Sequence, residues 1–172
     1  TTPPSRSRSA TKQNPTAATV DQMRALARAQ KHAEAALRML PNSASAAQLV
    51  KAARDALIQL RRFVVDYPDD QRVPDANKLM AECMSLLAAH EFYVARFYLQ
   101  RDAYRGVISR LRGLLAAYPG SEVEPQALLL LGQVYVETEQ VEAAKGTLAE
   151  LVQRYPDTDE AKRAKNILGK IG

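Results

Sequence analysis

From Val20 onward the apolar residues recur at the spacing of amphipathic helices, and no stretch alternates regularly enough to read as a strand. Every proline in this part of the chain falls at a junction: Pro41, Pro68, Pro74, Pro119, Pro125 and Pro156. Proline lacks an N–H and clashes with the preceding turn, so it marks the breaks between helices. The pattern predicts seven helices, over 20–40, 46–66, 74–100, 103–118, 124–137, 140–154 and 159–170. Two capping boxes fit these starts. Thr19 is followed by Gln22, and Ser45 by Gln48, pairs that satisfy otherwise unpaired N–H groups. The connections are short, so successive helices are expected to pack as antiparallel hairpins. The third helix would be unusually long, about 40 Å at 1.5 Å per residue.

Composition supports helix. Ala and Leu dominate, glycines number only 7, and the 172 residues suit one domain or a short solenoid. The net charge of +5 is unevenly placed. Residues 1–20 carry Arg6, Arg8 and Lys12 and no acid, while the remaining 21 bases face 19 acids. The high pI is therefore partly a property of the tail, and nucleic acid, which needs a basic stripe on the folded part, is not an expected partner. Residues 1–18 are rich in Ser, Thr, Pro and Arg and are expected to form a flexible basic linker, with the folded unit spanning 19–172. The longest nearly apolar run, Ala127 to Val136, is half the roughly 20 residues a membrane-spanning helix needs. Membrane contact is expected only through an anchor or partner outside this sequence.

Few residues suggest chemistry. The single cysteine, Cys83, lies in a helical pattern beside Met84 and is expected to be a buried thiol. His32 and His90 have no Cys or paired carboxylates at ligand spacing, so a zinc site is not expected. No Gly-rich phosphate loop or nucleophile elbow is present. Neither catalysis nor a cofactor is expected.

Internal repetition points instead to a fold. The fragments Asp66-Tyr67-Pro68-Asp69, Ala117-Tyr118-Pro119-Gly120 and Arg154-Tyr155-Pro156-Asp157 are related, and each closes an amphipathic helix. The last unit resembles the tetratricopeptide repeat: Leu128, Leu131, Gly132 and Tyr135 in its first helix, Ala144 and Leu148 in its second, and Pro156 at its end. Gly132 and Ala144 are small enough to let two helices approach, while Leu131, Tyr135 and Leu148 fill the space between them. The preceding unit fits with Ala95, Tyr98, Leu111 and Pro119, and the earliest keeps Ala56, Leu60, Phe63 and Pro68. The expected fold is an all-α, tetratricopeptide-like helical-hairpin solenoid of about seven helices. Its repeats lie near 20–68, 74–119 and 124–156, and 159–170 forms a capping helix. Acids at the start of that last helix, Asp157, Asp159 and Glu160, and Lys165 and Lys170 near its end, suit the helix dipole.

One stretch is more specific. His90-Glu91-Phe92-Tyr93-Val94-Ala95-Arg96-Phe97-Tyr98-Leu99-Gln100-Arg101-Asp102-Ala103-Tyr104 resembles a segment at the end of a long helix in the BamD family of outer-membrane barrel-assembly lipoproteins. Asp66-Tyr67-Pro68, Asp75-Ala76, Ile108-Ser109-Arg110 and Tyr118-Pro119 keep that family's order and spacing. The resemblance covers roughly residues 46–158 and corresponds to the family's C-terminal part. Helix 20–40 and its linker are expected to stand where the family has its opening repeats and lipidated N-terminal cysteine. The resemblance implies a non-catalytic scaffold at the periplasmic face of the outer membrane of a Gram-negative bacterium. Its implied partner is the β-barrel assembly protein, met through a POTRA domain. Further candidate partners are other envelope lipoproteins and unfolded segments of outer-membrane proteins.

Two surfaces are candidates for binding. In the repeat register, Phe92 and Arg96 face the concave groove, where Leu99 and Gln100 could join them. Gln126, Leu129, Gln133 and Val136 take the equivalent places in the next unit. The second candidate is the basic run Arg96, Arg101, Arg105, Arg110 and Arg112, opposed within that interval only by Asp102. Such a surface would attract an acidic partner. The family resemblance favours Arg110, whose counterpart lies where a POTRA domain is met. Alternatives are a tetratricopeptide lipoprotein of another envelope complex, such as a pilotin or a division coordinator, and an adaptor that takes extended peptides through Phe92, Arg96 and Gln133.

Overall fold

Proline at the start and a Tyr-Pro pair at the end define most of the helices. The computed structural model describes residues 43–172 and, before them, Arg24, Ala27, Arg28 and Lys31. Those four positions are helical; the expected linker 1–18, most of helix 20–40 and the Thr19–Gln22 capping box lie outside the described residues. Six helices and no strand follow among the described residues: α1 (Ser43–Asp66), α2 (Val73–Leu99), α3 (Tyr104–Ala117), α4 (Glu124–Glu137), α5 (Val141–Arg154) and α6 (Asp159–Ile171). The long helix is α2, with 27 residues. Pro74 and Pro125 stand in the first turns of α2 and α4, where a missing N–H costs nothing. α1 begins before Ser45, so that residue lies in its first turn and not at its cap. The side-chain cap that does form is Thr158, whose hydroxyl accepts the Ala161 N–H at 3.2 Å ahead of α6.

The repeat seen in the sequence is also a repeat of backbone angles. Asp102 and Glu139, 37 positions apart, both take the left-handed conformation, with φ of 52° and 58°. Ala103 and Gln140, which follow them, have φ/ψ of −80°/59° and −88°/62°. Tyr118 and Tyr155, at the other end of each unit, have −132°/56° and −132°/52°. Both hairpins thus turn and end in the same way.

Equivalent side chains fill equivalent space. Ala56, Val107 and Ala144 are fully buried, as are Leu60, Leu111 and Leu148, and so nearly are Phe63, Leu114 and Leu151. A buried leucine or phenylalanine of this kind contributes about 1.5–3 kcal/mol. Gly132 lies against Leu148: a methyl group there would stand 2.6 Å from Leu148 Cγ, so the close approach requires glycine. Cys83 is buried among the α1–α2 side chains, and burial pushes its thiol pKa up. It is a packing residue, held in its unreactive form.

Two polar clasps fix the turns. Between α1 and α2, Asp70 accepts hydrogen bonds from Arg72 Nε at 2.8 Å, Arg72 Nη2 at 2.7 Å and the Arg72 N–H at 2.9 Å. These donors hold its carboxyl at a pKa of about 2. Ahead of α4, Glu124 is 1% exposed and accepts from the Gly120 N–H and from Arg154 Nη1. Arg154 also reaches Glu150 at 2.8 Å. Glu124 therefore ties the α3–α4 loop to the end of α5. Successive helices pack pairwise along the chain, and α4 also packs directly on α6. α2 and α4 make no comparable contact, and the gap between them is the concave cleft.

Candidate functional site

The cleft gathers residues from three helices. Phe92, Arg96 and Leu99 come from α2, Gln126, Leu129, Leu130 and Gln133 from α4, and Glu160 and Arg163 from α6; together they enclose about 420 Å³. The α2 residues share a face because positions three and four apart line up along a helix. Gln126, Leu129 and Gln133 do the same along α4. Leu129 is buried, Phe92, Leu99, Leu130 and Gln133 are half-buried, and Gln126 is exposed. The floor is apolar and the amides and charges stand at its edges. Among the described residues neither Arg96 nor Arg163 has a side-chain hydrogen-bond or ion-pair partner, and both are exposed.

Six of the residues assigned to the groove by repeat register meet here. Two do not. Gln100 caps α2, its N–H donating to the Arg96 carbonyl, and its side chain lies outside the cleft. Val136 packs against the core cluster shared by α2, α3, α4 and α5. Glu160 and Arg163 are the additions. The repeat register does not place them, because they come from the capping helix, which reaches the cleft only by packing on α4.

The basic run does not form one patch. Arg96 faces the cleft. Arg101 lies 3.5 Å over the centre of the Phe97 ring and donates to the Phe97 carbonyl at 3.2 Å. Phe97 and Tyr93 are the exposed aromatics of α2, at 45% and 70%. Arg105 and Arg112 lie two turns apart on α3 and share a shallow depression with Ile108, Ser109 and Gln140. Arg110 points another way. Its Nη1 donates to Glu91 at 3.1 Å, and Glu91 also meets Arg54 at 3.7 Å. The acid opposing the run is thus Glu91 on α2 as well as Asp102. Glu91 and Arg110 sit at nearly equal distances from the α2–α3 turn, and that hairpin symmetry was the signal available for pairing them. The Glu91 hydrogen bond raises the Arg110 pKa, so the guanidinium stays charged.

Arg110 and Glu91 line a second groove of about 500 Å³, with Tyr98, Gly106, Ser109, Gly113, Ala117 and Tyr118. Its α3 wall is made of small residues. Gly106 has the Tyr98 ring 3.1 Å from where a Cβ would be, and nothing stands within 4 Å of such a position at Gly113. The α3 backbone is therefore open at Gly113, beside a charged and positioned arginine, while the Tyr98 ring covers Gly106. No helix among the described residues is long and apolar enough to cross a membrane.

The family model described as YfiO, outer membrane lipoprotein, matches residues 10–147. This chain belongs to that family. The match begins well before residue 46, so the segment with the expected first helix also fits the family pattern. The outer membrane lipoprotein BamD segment recognised in the sequence agrees with the relatives found. Outer membrane protein assembly factor BamD of Pasteurella multocida is 34% identical over 80 residues, 46% of this chain and 31% of that protein. Its namesake in Neisseria gonorrhoeae is 26% identical over 106 residues, 62% of this chain and 40% of that protein. Its namesake in Xylella fastidiosa strain 9a5c is 30% identical over 86 residues, 50% of this chain and 30% of that protein. The chain spans well under half the length of these curated relatives.

Proposed function

We propose that this chain is a non-catalytic scaffold of the outer-membrane β-barrel assembly machinery. It acts at the periplasmic face of the outer membrane and meets a POTRA-type domain of the barrel-forming protein through the α2–α3 hairpin. Membership of the family and the relatives named as assembly factors support the general role.

The observation that carries the contact is the Arg110–Glu91 pair in the groove beside the small residues of α3. An arginine offers five N–H donors in a rigid fork, and Glu91 engages Nη1. The Tyr98 side chain also bonds to the guanidinium, and the donors left over border an open groove where a carboxylate of a folded partner could pair. Gly113 and Ala117 let that partner come close. The affinity would then rest on a few residues around Arg110.

The test is binding of the purified chain to the POTRA region of the same organism's barrel-assembly protein. Saturable binding is expected, weakened about tenfold or more by Arg110→Glu, equivalent to about 1.4 kcal/mol. Absence of binding between two demonstrably folded proteins would refute the POTRA contact.

A further inference from the structure

Arg110 is one end of a three-residue chain of charge. Glu91 of α2 places one carboxylate oxygen 3.1 Å from Arg110 Nη1 on α3 and the other 3.7 Å from Arg54 Nη2 on α1. We propose that Glu91 is the positioning residue for the partner-binding arginine, and that Arg54, which lines no part of the groove, strengthens the binding of an acidic partner by holding Glu91 in place. This deepens the POTRA reading and rests on it for the identity of the partner.

Charge gives the first reason. Glu91 itself lines the groove, so its carboxylate faces any carboxylate that a partner brings. Alone it would repel that group and compete with it for Arg110. Arg54 offsets this, because two guanidiniums then stand against one carboxylate. A carboxylate from the partner completes the balance. The Glu91 side chain is only 14% exposed, so water screens these pairs less than it screens an ordinary surface pair.

Placement gives the second. α1 and α3 both pack on α2, and no comparable packing joins α1 to α3. Glu91 links them across α2. Arg54 draws one carboxylate oxygen toward α1, which leaves the other turned to α3. An arginine side chain loses much conformational freedom when it is fixed. Glu91 imposes that loss on Arg110 before the partner arrives, so less of it opposes binding.

Charge and position make opposite predictions for removal of Glu91. If only its charge mattered, Glu91→Ala would leave the groove more positive and tighten the binding of an acidic domain. Positioning predicts weaker binding, restored by Glu91→Gln, whose amide oxygen still accepts from Arg110.

The experiment has two readouts on the full chain, in variants whose circular dichroism and melting are first compared with the wild type. NMR relaxation of the Arg110 Nε–H group, without any partner, should show an ordered guanidinium in the wild type and in Glu91→Gln. It should show a mobile one in Glu91→Ala and an intermediate one in Arg54→Ala. Binding to the POTRA region of the same organism's barrel-assembly protein should weaken about fivefold in Glu91→Ala, about threefold in Arg54→Ala and less than about twofold in Glu91→Gln. Arg54→Ala should have no further effect once Glu91 is Ala. Unchanged Arg110 relaxation in Glu91→Ala, tighter binding by that variant, or a Glu91→Gln variant as weak as it would overturn the positioning role. An Arg54→Ala effect that persists without Glu91 would overturn the part given to Arg54. If the folded wild type does not bind the POTRA region, the POTRA reading falls, and the relaxation of Arg110 in Glu91→Ala and Arg54→Ala still decides whether this chain of contacts positions it.

Discussion

Two junctions in this solenoid join the first helices of successive hairpins, and they differ. α4 and α6 meet directly, whereas α2 and α4 are held apart. At the closed junction α6 presents Ala161 and Ala164, both fully buried, and Leu128 and Leu129 pack beside Ala164. Small side chains on one helix allow the other to approach. At the open junction Phe92, Arg96 and Leu99 stand opposite Gln126, Leu129 and Gln133. Large and polar side chains line the gap between these helices and keep them apart. The same repeat frame therefore yields a packed core at one junction and an open cleft at the next. Residues at the closed junction should govern stability, and those at the open one should be nearly silent in stability.

The largest expected effect is in the closed half. Gly132→Ala forces a methyl group into Leu148 and should destabilise the fold by about 2–3 kcal/mol, seen as a lower denaturant midpoint. A variant as stable as the wild type would show that α4 and α5 can separate without cost. Arg154→Ala leaves the buried Glu124 carboxylate with the Gly120 N–H and the Tyr155 hydroxyl but no cation, and should cost about 1–2 kcal/mol. The cost falls below that of a fully buried pair because the Arg154 side chain is 39% exposed.

A pH titration addresses the N-terminal half, where the clasp is Asp70 with Arg72. The Asp70 carboxyl titrates at about 2 in the folded chain, below its ordinary value of 3.8. Its contribution is therefore fully present above about pH 4 and is lost as pH falls through about 2. Asp70→Asn should be less stable than the wild type at neutral pH, and the two unfolding midpoints should converge as the buffer is taken from pH 5 toward 2. Midpoints that stay parallel across that range would remove the clasp from the account. The smallest effect belongs to the open junction: Arg96→Ala should change stability by less than about 0.5 kcal/mol, as expected of a surface side chain without a partner. A larger loss would mean that Arg96 supports the fold, and the contrast between the junctions would weaken.

Much of this was legible in the sequence. The helices from α2 to α6 lie within one residue of their predicted bounds, because proline and the Tyr-Pro repeats act locally. The core positions of the repeat were readable for the same reason: a helix has a fixed period, so Leu60, Leu111 and Leu148 fall on the buried face in each unit. The cleft was legible in part. Phe92, Arg96, Leu99, Gln126, Leu129 and Gln133 follow from repeat register, but Glu160 and Arg163 do not, since a capping helix has no following unit to set its register. The basic run misled more. Five arginines close in sequence are spread around two helices and a turn, and adjacency along a chain does not put side chains on one face of a helix.

By itself the sequence determined the all-α class, the hairpin order, the identity of the core residues and the family resemblance. These depend on local preferences and on a period that repeats along the chain. Only the tertiary structure decided which arginines are engaged and which are open, because that depends on what the neighbouring helix brings within reach. Glu91 meets Arg110 and Arg54 across helix boundaries, and among the described residues no acid engages Arg96 or Arg163. The separation of α2 from α4 was settled in the same way, by the bulk and polarity of side chains that come from two different repeats and meet only once the solenoid has formed.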